Sequence, residues 1–190
     1  MKLVATPLPG VVIVEPVAFA DERGWFMESF NEPRWQKALA ELGLPPTRPF
    51  VQDNHSCSRA GVLRGLHYQL APHAQGKLVR VVRGSAWDVA VDLRRGSPHF
   101  GRCFGIELSA DNRRQVWIPE GYAHGFIALE DDTHFLYKTT DVYAKDCERS
   151  IRWNDPAIGI SWPLPKGMKA PLLAPKDAEA PLLADAELPG

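Results

Sequence analysis

The sequence predicts an all-β domain, a sandwich or barrel, with one helix near its N-terminus. Three observations carry this reading. Trp87, Val89, Val91 and Leu93 alternate with Ala86, Asp88, Ala90 and Asp92, which is the period of two of a strand. Short β-type runs recur from about residue 50 to 153, divided by Gly and Pro, at the spacing of a sandwich or barrel. Strands do not alternate with long helices, so a doubly wound α/β sheet is excluded.

In chain order, Met1–Val14 reads as an apolar stretch broken by Pro7, Pro9 and Gly10. Asn31 then suits a helix N-cap, and Pro33 falls in the first turn, where its missing N–H costs little. Trp35, Ala38, Leu39 and Leu42 recur at i, i+3, i+4 and i+7 as one apolar stripe. Gly43 stands where a C′ glycine ends a helix, with Pro45 and Pro46 beyond, which predicts an amphipathic helix over 32–42. Arg102, Phe104, Ile106 and Leu108 repeat the strand alternation, and 78–82, 115–118, 124–129 and 133–139 are further strands. From Pro163 the last 28 residues hold six of the 17 prolines and read as an irregular tail with a short helix around 177–184. Trp162, Leu172-Leu173 and Leu182-Leu183 argue that this tail packs on the body of the protein.

With 190 residues, the chain fits one domain with a sizeable core. Its 22 basic and 23 acidic residues give a net charge of −1, which excludes a surface built to coat nucleic acid or anionic lipid. No apolar run reaches the ~18 residues of a membrane span, and the broken N-terminus does not read as a signal peptide. Cys57, Cys103 and Cys147 lie far apart and suit neither a zinc site nor a disulfide framework. They fit free thiols in a reducing cytoplasm.

Glycine-rich phosphate loops, His-Glu-x-x-His, Cys-x-x-Cys and Gly-x-Ser-x-Gly are all missing. A site must therefore be built from strand side chains in a barrel mouth. The densest polar segment, 52–69, carries Gln52, Asn54, Arg64, His67 and Gln69. Arg64 and His67 differ in parity, so a regular strand puts them on opposite faces, unless Gly65 hosts a bulge that re-aims one. His124 follows a Pro-Glu-Gly turn, and Phe135, Tyr137 and Thr139 share a strand face. Taken singly, His67 also reads as a strand histidine and Tyr137 as a core aromatic. Arg23, Arg59, Arg64, Lys77, Arg80 and Arg83 are scattered, and two or three converging would suit a diphosphate.

Seven segments together resemble the dTDP-4-dehydrorhamnose 3,5-epimerases: DERGWFMESF at 21–30, QDNHSCSRAGVLRGLHYQ at 52–69, QGKLVRVVRG at 75–84, DVAVDLRRGSPHFG at 88–101, WIPEGYAHGF at 117–126, FLYKTTDVY at 135–143 and WNDPAIGISWP at 153–163. The resemblance implies a single domain over 1–190, a cupin-type jelly roll with its core at about 50–153 and the tail packed on the barrel. It implies a cytoplasmic homodimer that needs no cofactor and no metal. The strand 85–92, where metal-binding cupins carry histidine ligands, contains no histidine. The implied substrate is dTDP-4-dehydro-6-deoxy-D-glucose and the product dTDP-4-dehydro-L-rhamnose.

The same resemblance implies His67 as the base, Asp177 as its partner and Tyr137 as the acid. Substrate-binding positions fall on Arg23, Glu28, Gln52, Asn54, Arg64, Lys77, His124, Glu148 and Lys176. Tyr68 and Tyr122 stand where the family often has Phe, and Pro175 stands where a small or acidic residue is usual. Related readings are an epimerase acting at one carbon, a ketoisomerase on a similar dTDP-ketosugar, or a non-catalytic sugar-binding cupin. The chemistry suits the residue types. The C3 and C5 protons flank a C4 ketone, and inversion needs proton-transfer groups on both faces of the ring.

Overall fold

The computed structural model describes residues 1–190. In chain order its elements are β1 (Lys2–Ala5), β2 (Val12–Glu15), β3 (Ala18–Asp21), β4 (Gly24–Met27), α1 (Glu32–Glu41), β5 (Gln52–Ser58), β6 (Leu63–Gln69), β7 (Lys77–Arg83), β8 (Ser85–Asp92), β9 (Cys103–Ser109), β10 (Gln115–Ile118), β11 (Tyr122–Ala128), β12 (Thr133–Thr139), β13 (Glu148–Ser150) and α2 (Pro175–Ala178). The first sheet has the order β1-β2-β10-β7-β12-β5 and the second β13-β6-β11-β8-β9. From β5 onward the chain passes back and forth between the two sheets, returning by long connections. This is the cupin-type jelly roll, built on antiparallel pairs.

The N-terminal stretch, which sequence alone leaves unassigned, is the edge of the first sheet. Pro7, Pro9 and Gly10 form the turn of a hairpin that pairs Ala5 with Val12. Thr6 Oγ1 donates to the Val11 carbonyl at 2.8 Å, and Gly10 supplies the positive φ of 84°. The barrel therefore draws on residues outside 50–153. The hairpin β3–β4 stands apart from both sheets, with Phe19 66% and Phe26 70% exposed.

Helix α1 begins as its sequence directs: Asn31 Oδ1 accepts the Arg34 N–H at 3.2 Å. Trp35 and Leu39 are buried against Val12, Val14, Leu78 and Trp117 on the outer face of the first sheet. Leu42 does not join that stripe. The helix closes with Gly43 N–H on the Ala40 carbonyl and Leu44 N–H on the Leu39 carbonyl, a C-terminal motif that leaves Leu42 exposed. Leu44 packs in its place.

Between the sheets lies a core that includes Val79, Val81, Leu108, Val116, Phe126 and Phe135. Phe126 and Phe135 stack across it with ring centroids 3.9 Å apart. The faces of β8 are arranged against ordinary expectation. Its small side chains, Ala86 and Ala90, point into the barrel. Its large apolar ones, Trp87, Val89 and Val91, point outward with Leu66, Tyr68 and Ala123 of neighbouring strands. That outer face is covered by Ile158, Ile160, Trp162, Leu183 and Leu188. The tail thus packs as expected, but its helix is α2 at 175–178 and the chain beyond it runs through turns. No helix is long and apolar enough to cross a membrane, and all three cysteines are free thiols.

Candidate active site

The site begins with an irregularity in β6. β6 and β11 pair His67 with His124, and then Arg64 with Phe126. Three steps on β6 thus match two on β11, a bulge of one residue at Gly65 and Leu66. It places Arg64 and His67 on the same inward face despite their opposite parity. Gly65 is required there. Its φ is +136°, and a Cβ would meet the Gly125 Cα at 2.5 Å.

His67 and Arg64 line a cavity of about 260 Å³ with Ser56, Lys77, His124 and Tyr137. Glu148, Ala174, Lys176 and Asp177 close it from β13 and the tail. Tyr137 and Lys77 belong to the first sheet, while His67 and His124 belong to the second. The cavity therefore has a tyrosine on one wall and histidines on the other.

Two histidine–carboxylate pairs lie side by side. His67 Nε2 is 2.6 Å from Asp177 Oδ1, with the carboxylate buried. His124 Nε2 is 2.6 Å from Asp88 Oδ2, with both groups buried. With Nε2 of His67 occupied by the carboxylate, Nδ1 is the nitrogen left to take a proton from a bound molecule. Lys176 Nζ pairs with Glu148 Oε1 at 3.1 Å, and the Tyr143 hydroxyl donates to Glu148 Oε2 at 3.1 Å.

Burial sets the protonation of this cavity. Desolvation pulls His67 below its ordinary 6.5, against the opposing hydrogen bond and charge of Asp177. Desolvation also brings Lys77 down to about 8, with Glu148 and Asp88 opposing. It raises Tyr137, against the nearby charge of Arg64, so the phenol keeps its proton at neutral pH. For Glu148 burial acts upward, but the Lys176 hydrogen bond and charge outweigh it and hold the carboxyl below its usual range. The result is a neutral base facing a protonated acid, beside a lysine close to its titration point.

Of the residues singled out in the sequence, Arg64, His67, Lys77, His124, Tyr137, Glu148, Lys176 and Asp177 meet in this one cavity. Gln52 and Asn54 lie on β5 opposite Thr139 and Tyr137, and Gln52 Nε2 donates to Asn54 Oδ1 at 2.9 Å, beside the cavity rather than in it. Arg23 and Glu28 are elsewhere in the chain. Arg23 sits at the β3–β4 turn, paired with Asp21 at 2.5 Å. Glu28 accepts from Asn31 and Arg34 at 3.0 Å each, beside the start of α1. Sequence reasoning passed over two residues. Asp88 was visible as a polar member of the 86–93 alternation, but nothing told which face turned inward. The Ser56 hydroxyl lines the cavity and is buried without a hydrogen-bond partner. No three His, Cys, Asp or Glu side chains converge as a metal-ligand set.

Replacing Gly65 by Ala should cost about 2 kcal/mol or more, because the added Cβ meets backbone and the φ is strained. Urea unfolding measures that loss. Activity should fall further than stability does, since the bulge aims Arg64 and His67 together.

A profile of the dTDP-4-dehydrorhamnose 3,5-epimerase family matches residues 5–185. The dTDP-4-dehydrorhamnose 3,5-epimerase of Pseudomonas aeruginosa is 53% identical over 187 residues, covering 98% of each chain. A dTDP-6-deoxy-D-glucose-3,5-epimerase of Legionella pneumophila, solved with dTDP-4-keto-L-rhamnose, superposes with a TM-score of 0.90 at 47% identity, covering 99% of this chain and 97% of the other. A 3′-monoepimerase of Streptomyces bikiniensis, solved with dTDP-quinovose, superposes with a TM-score of 0.87 at 35% identity, covering 100% of this chain and 92% of the other. Likeness of this extent, over nearly the whole length of both partners in each pairing, makes the chain a member of the dTDP-4-dehydrorhamnose 3,5-epimerase family.

Proposed function

We propose that the chain converts dTDP-4-dehydro-6-deoxy-D-glucose to dTDP-4-dehydro-L-rhamnose by inverting C3 and C5. The observation that carries this reading is the pairing of His67–Asp177 on one wall of the cavity with Tyr137 on the other. Identity of 53% to a 3,5-epimerase against 35% to a monoepimerase favours action at both carbons.

In this reading, neutral His67 removes the proton next to the C4 ketone, leaving an enolate. Asp177 fixes the ring and stabilises the imidazolium that forms. Tyr137 delivers a proton to the opposite face of the carbon, and solvent resets both groups before the second centre reacts. Lys77 and Arg64 supply positive charge to the C4 oxyanion. His124, held by Asp88, is a further donor to the sugar, and Glu148 and Lys176 bind at the tail side. No electron changes hands, so the chemistry calls for no redox cofactor.

We also propose a cytoplasmic homodimer. Exposed Phe19, Trp25 and Phe26 on the free β3–β4 hairpin form the kind of apolar surface that marks an interface. Arg23 and Glu28 would serve the substrate only if that hairpin reached the cavity of a second subunit. Three free cysteines agree with a reducing compartment.

Three outcomes test the chemistry. The pH profile of kcat/KM should be a bell. Its rising limb lies below pH 6.5, because His67 acts only when neutral and its pKa is lowered. Its falling limb lies near pH 8, where Lys77 loses its charge. A profile flat through pH 8 would remove Lys77 from the oxyanion role.

His67→Ala should lose about 10²–10⁴-fold in kcat, the usual worth of a general base. Turnover near the wild-type rate would leave His67 merely structural. Tyr137→Phe keeps the base and the cavity shape and removes only the donor hydroxyl. In D2O this variant should wash deuterium into C3 or C5 with little inverted product, as read by NMR, whereas the parent couples exchange to inversion. Exchange at one carbon alone in the parent would instead identify a monoepimerase, and no exchange at all a sugar-binding protein.

A further inference from the structure

The segment WNDPAIGISWP at 153–163 contributes no side chain to the cavity, yet the structure ties it to the catalytic machinery. Asp177 lies in α2, a helix of four residues, too short to hold its own position. Its place is set by the chain on either side. Ahead of α2, the Leu172 N–H bonds the Gly61 carbonyl at 2.7 Å and the Leu63 N–H bonds the Leu172 carbonyl at 3.0 Å. Behind it, the turn at 152–155 grips residues 180–183 in three hydrogen bonds. Arg152 donates from its backbone N–H to the Pro181 carbonyl at 2.8 Å and from Nε to the Ala180 carbonyl at 3.0 Å. The Leu183 N–H donates to Asp155 Oδ2 at 2.6 Å.

Asp155 is the unusual member of this clasp. It is 3% exposed, and its other oxygen accepts the Ala157 N–H at 2.8 Å. No cation pairs with it, so the buried carboxylate is held by backbone N–H groups alone. Burying a carboxylate is costly unless hydrogen bonds offset it, and here the offset comes from the backbone of the two segments that Asp155 joins. Ala180 and Leu183, on the gripped segment, are buried, so the clasp is a firm anchor three to six residues beyond Asp177.

We infer that Asp155, through its grip on the tail at Leu183, is a positioning residue that holds Asp177 in register with His67. The inference rests on the proposed role of Asp177 as the partner of the base. His67 is faced by Asp177 and Lys176 from the tail, Arg64 from its own strand β6, Lys77 from β7, His124 from β11, Tyr137 from β12 and Glu148 from β13. Of these, only the two tail residues shift when the clasp loosens.

The test is a double-mutant cycle on the full chain, with kcat, KM and the pH profile of kcat measured on dTDP-4-dehydro-6-deoxy-D-glucose. Asp155→Ala should lower kcat by about 10²-fold, the cost of an ångström-scale misplacement, with a smaller rise in KM through the shift of Lys176. Its acid limb should move to lower pH, because the hydrogen bond and charge of Asp177 raise the His67 pKa and their loss lowers it. Asp177→Ala should move the limb in the same direction, and Asp155→Ala added to Asp177→Ala should lower kcat no further. Asp155→Asn keeps the volume and one acceptor, so it should fall between wild type and Asp155→Ala. It carries the cycle if the alanine variant does not fold. Losses that multiply in the double variant, or an unmoved acid limb, would overturn the inference and make Asp155 a stabilising residue only. A fall in Asp177→Ala with none in either Asp155 variant would overturn it while leaving the dyad intact. An undiminished kcat in Asp177→Ala would overturn the dyad, and this inference with it.

Discussion

Within the second sheet, β8 carries its small and polar side chains inward and its large apolar ones outward, and much of the molecule follows from that inversion. Leu66, Val89, Val91 and Leu93 are essentially inaccessible, yet they lie on the outside of the barrel. Covering each contributes about 1.5–3 kcal/mol at most. Together they rival the whole stability of an ordinary domain, about 5–15 kcal/mol. The residues after β13 are therefore a third layer of the fold. The same layer delivers Asp177, so the cover that stabilises the sheet also completes the cavity.

Turning polar groups inward has an electrostatic counterpart. Burial favours the uncharged form of every group it touches, and in this cavity it acts alike on an imidazole, an ammonium and a phenol. Proton transfer between neutral partners creates opposite charges, so the proposed chemistry depends on Asp177 beside the imidazole and on the cations of Lys77 and Arg64 beside the oxyanion. The two histidine–carboxylate pairs differ in where their acids come from. Asp88 is a fixed member of a central strand, whereas Asp177 arrives on the tail. One pair belongs to the barrel and the other is assembled when the tail docks.

Much of this was legible in the chain. Asn31, Pro33 and Gly43 bounded the helix correctly because capping is local chemistry. The strand period at 86–93 was plain, but which face turned inward depends on a layer supplied some 70–100 residues later. No local pattern records that, so Asp88 was missed. Gly65 between two residues of wrong parity did signal a bulge, because only an extra residue reconciles them. Leu42 kept the helical period yet fell outside the helix, since the C-terminal turn overrides the stripe. The departures at Tyr68, Tyr122 and Pro175 found local answers. The two hydroxyls donate to the carbonyls of Glu187 and Pro9 at 2.7 and 2.6 Å, and the proline opens the first turn of α2. Arg23 and Glu28 were legible only by resemblance, since one chain keeps both outside the cavity.

In its proposed role beside the substrate, Lys77, nearly inaccessible in the cavity wall and brought down to about 8 by burial, ties ligand binding to hydrogen-ion uptake. In mildly alkaline solution the unliganded protein is a mixture of charged and uncharged forms. An anionic nucleotide sugar binds the charged form better and draws the mixture toward it. Each molecule bound then consumes a fraction of a proton from the buffer, a fraction that grows with pH through this range. Apparent affinity thus falls with rising pH although no group on the sugar nucleotide titrates there. The buried ammonium makes substrate capture and the acidity of the medium a single coupled equilibrium.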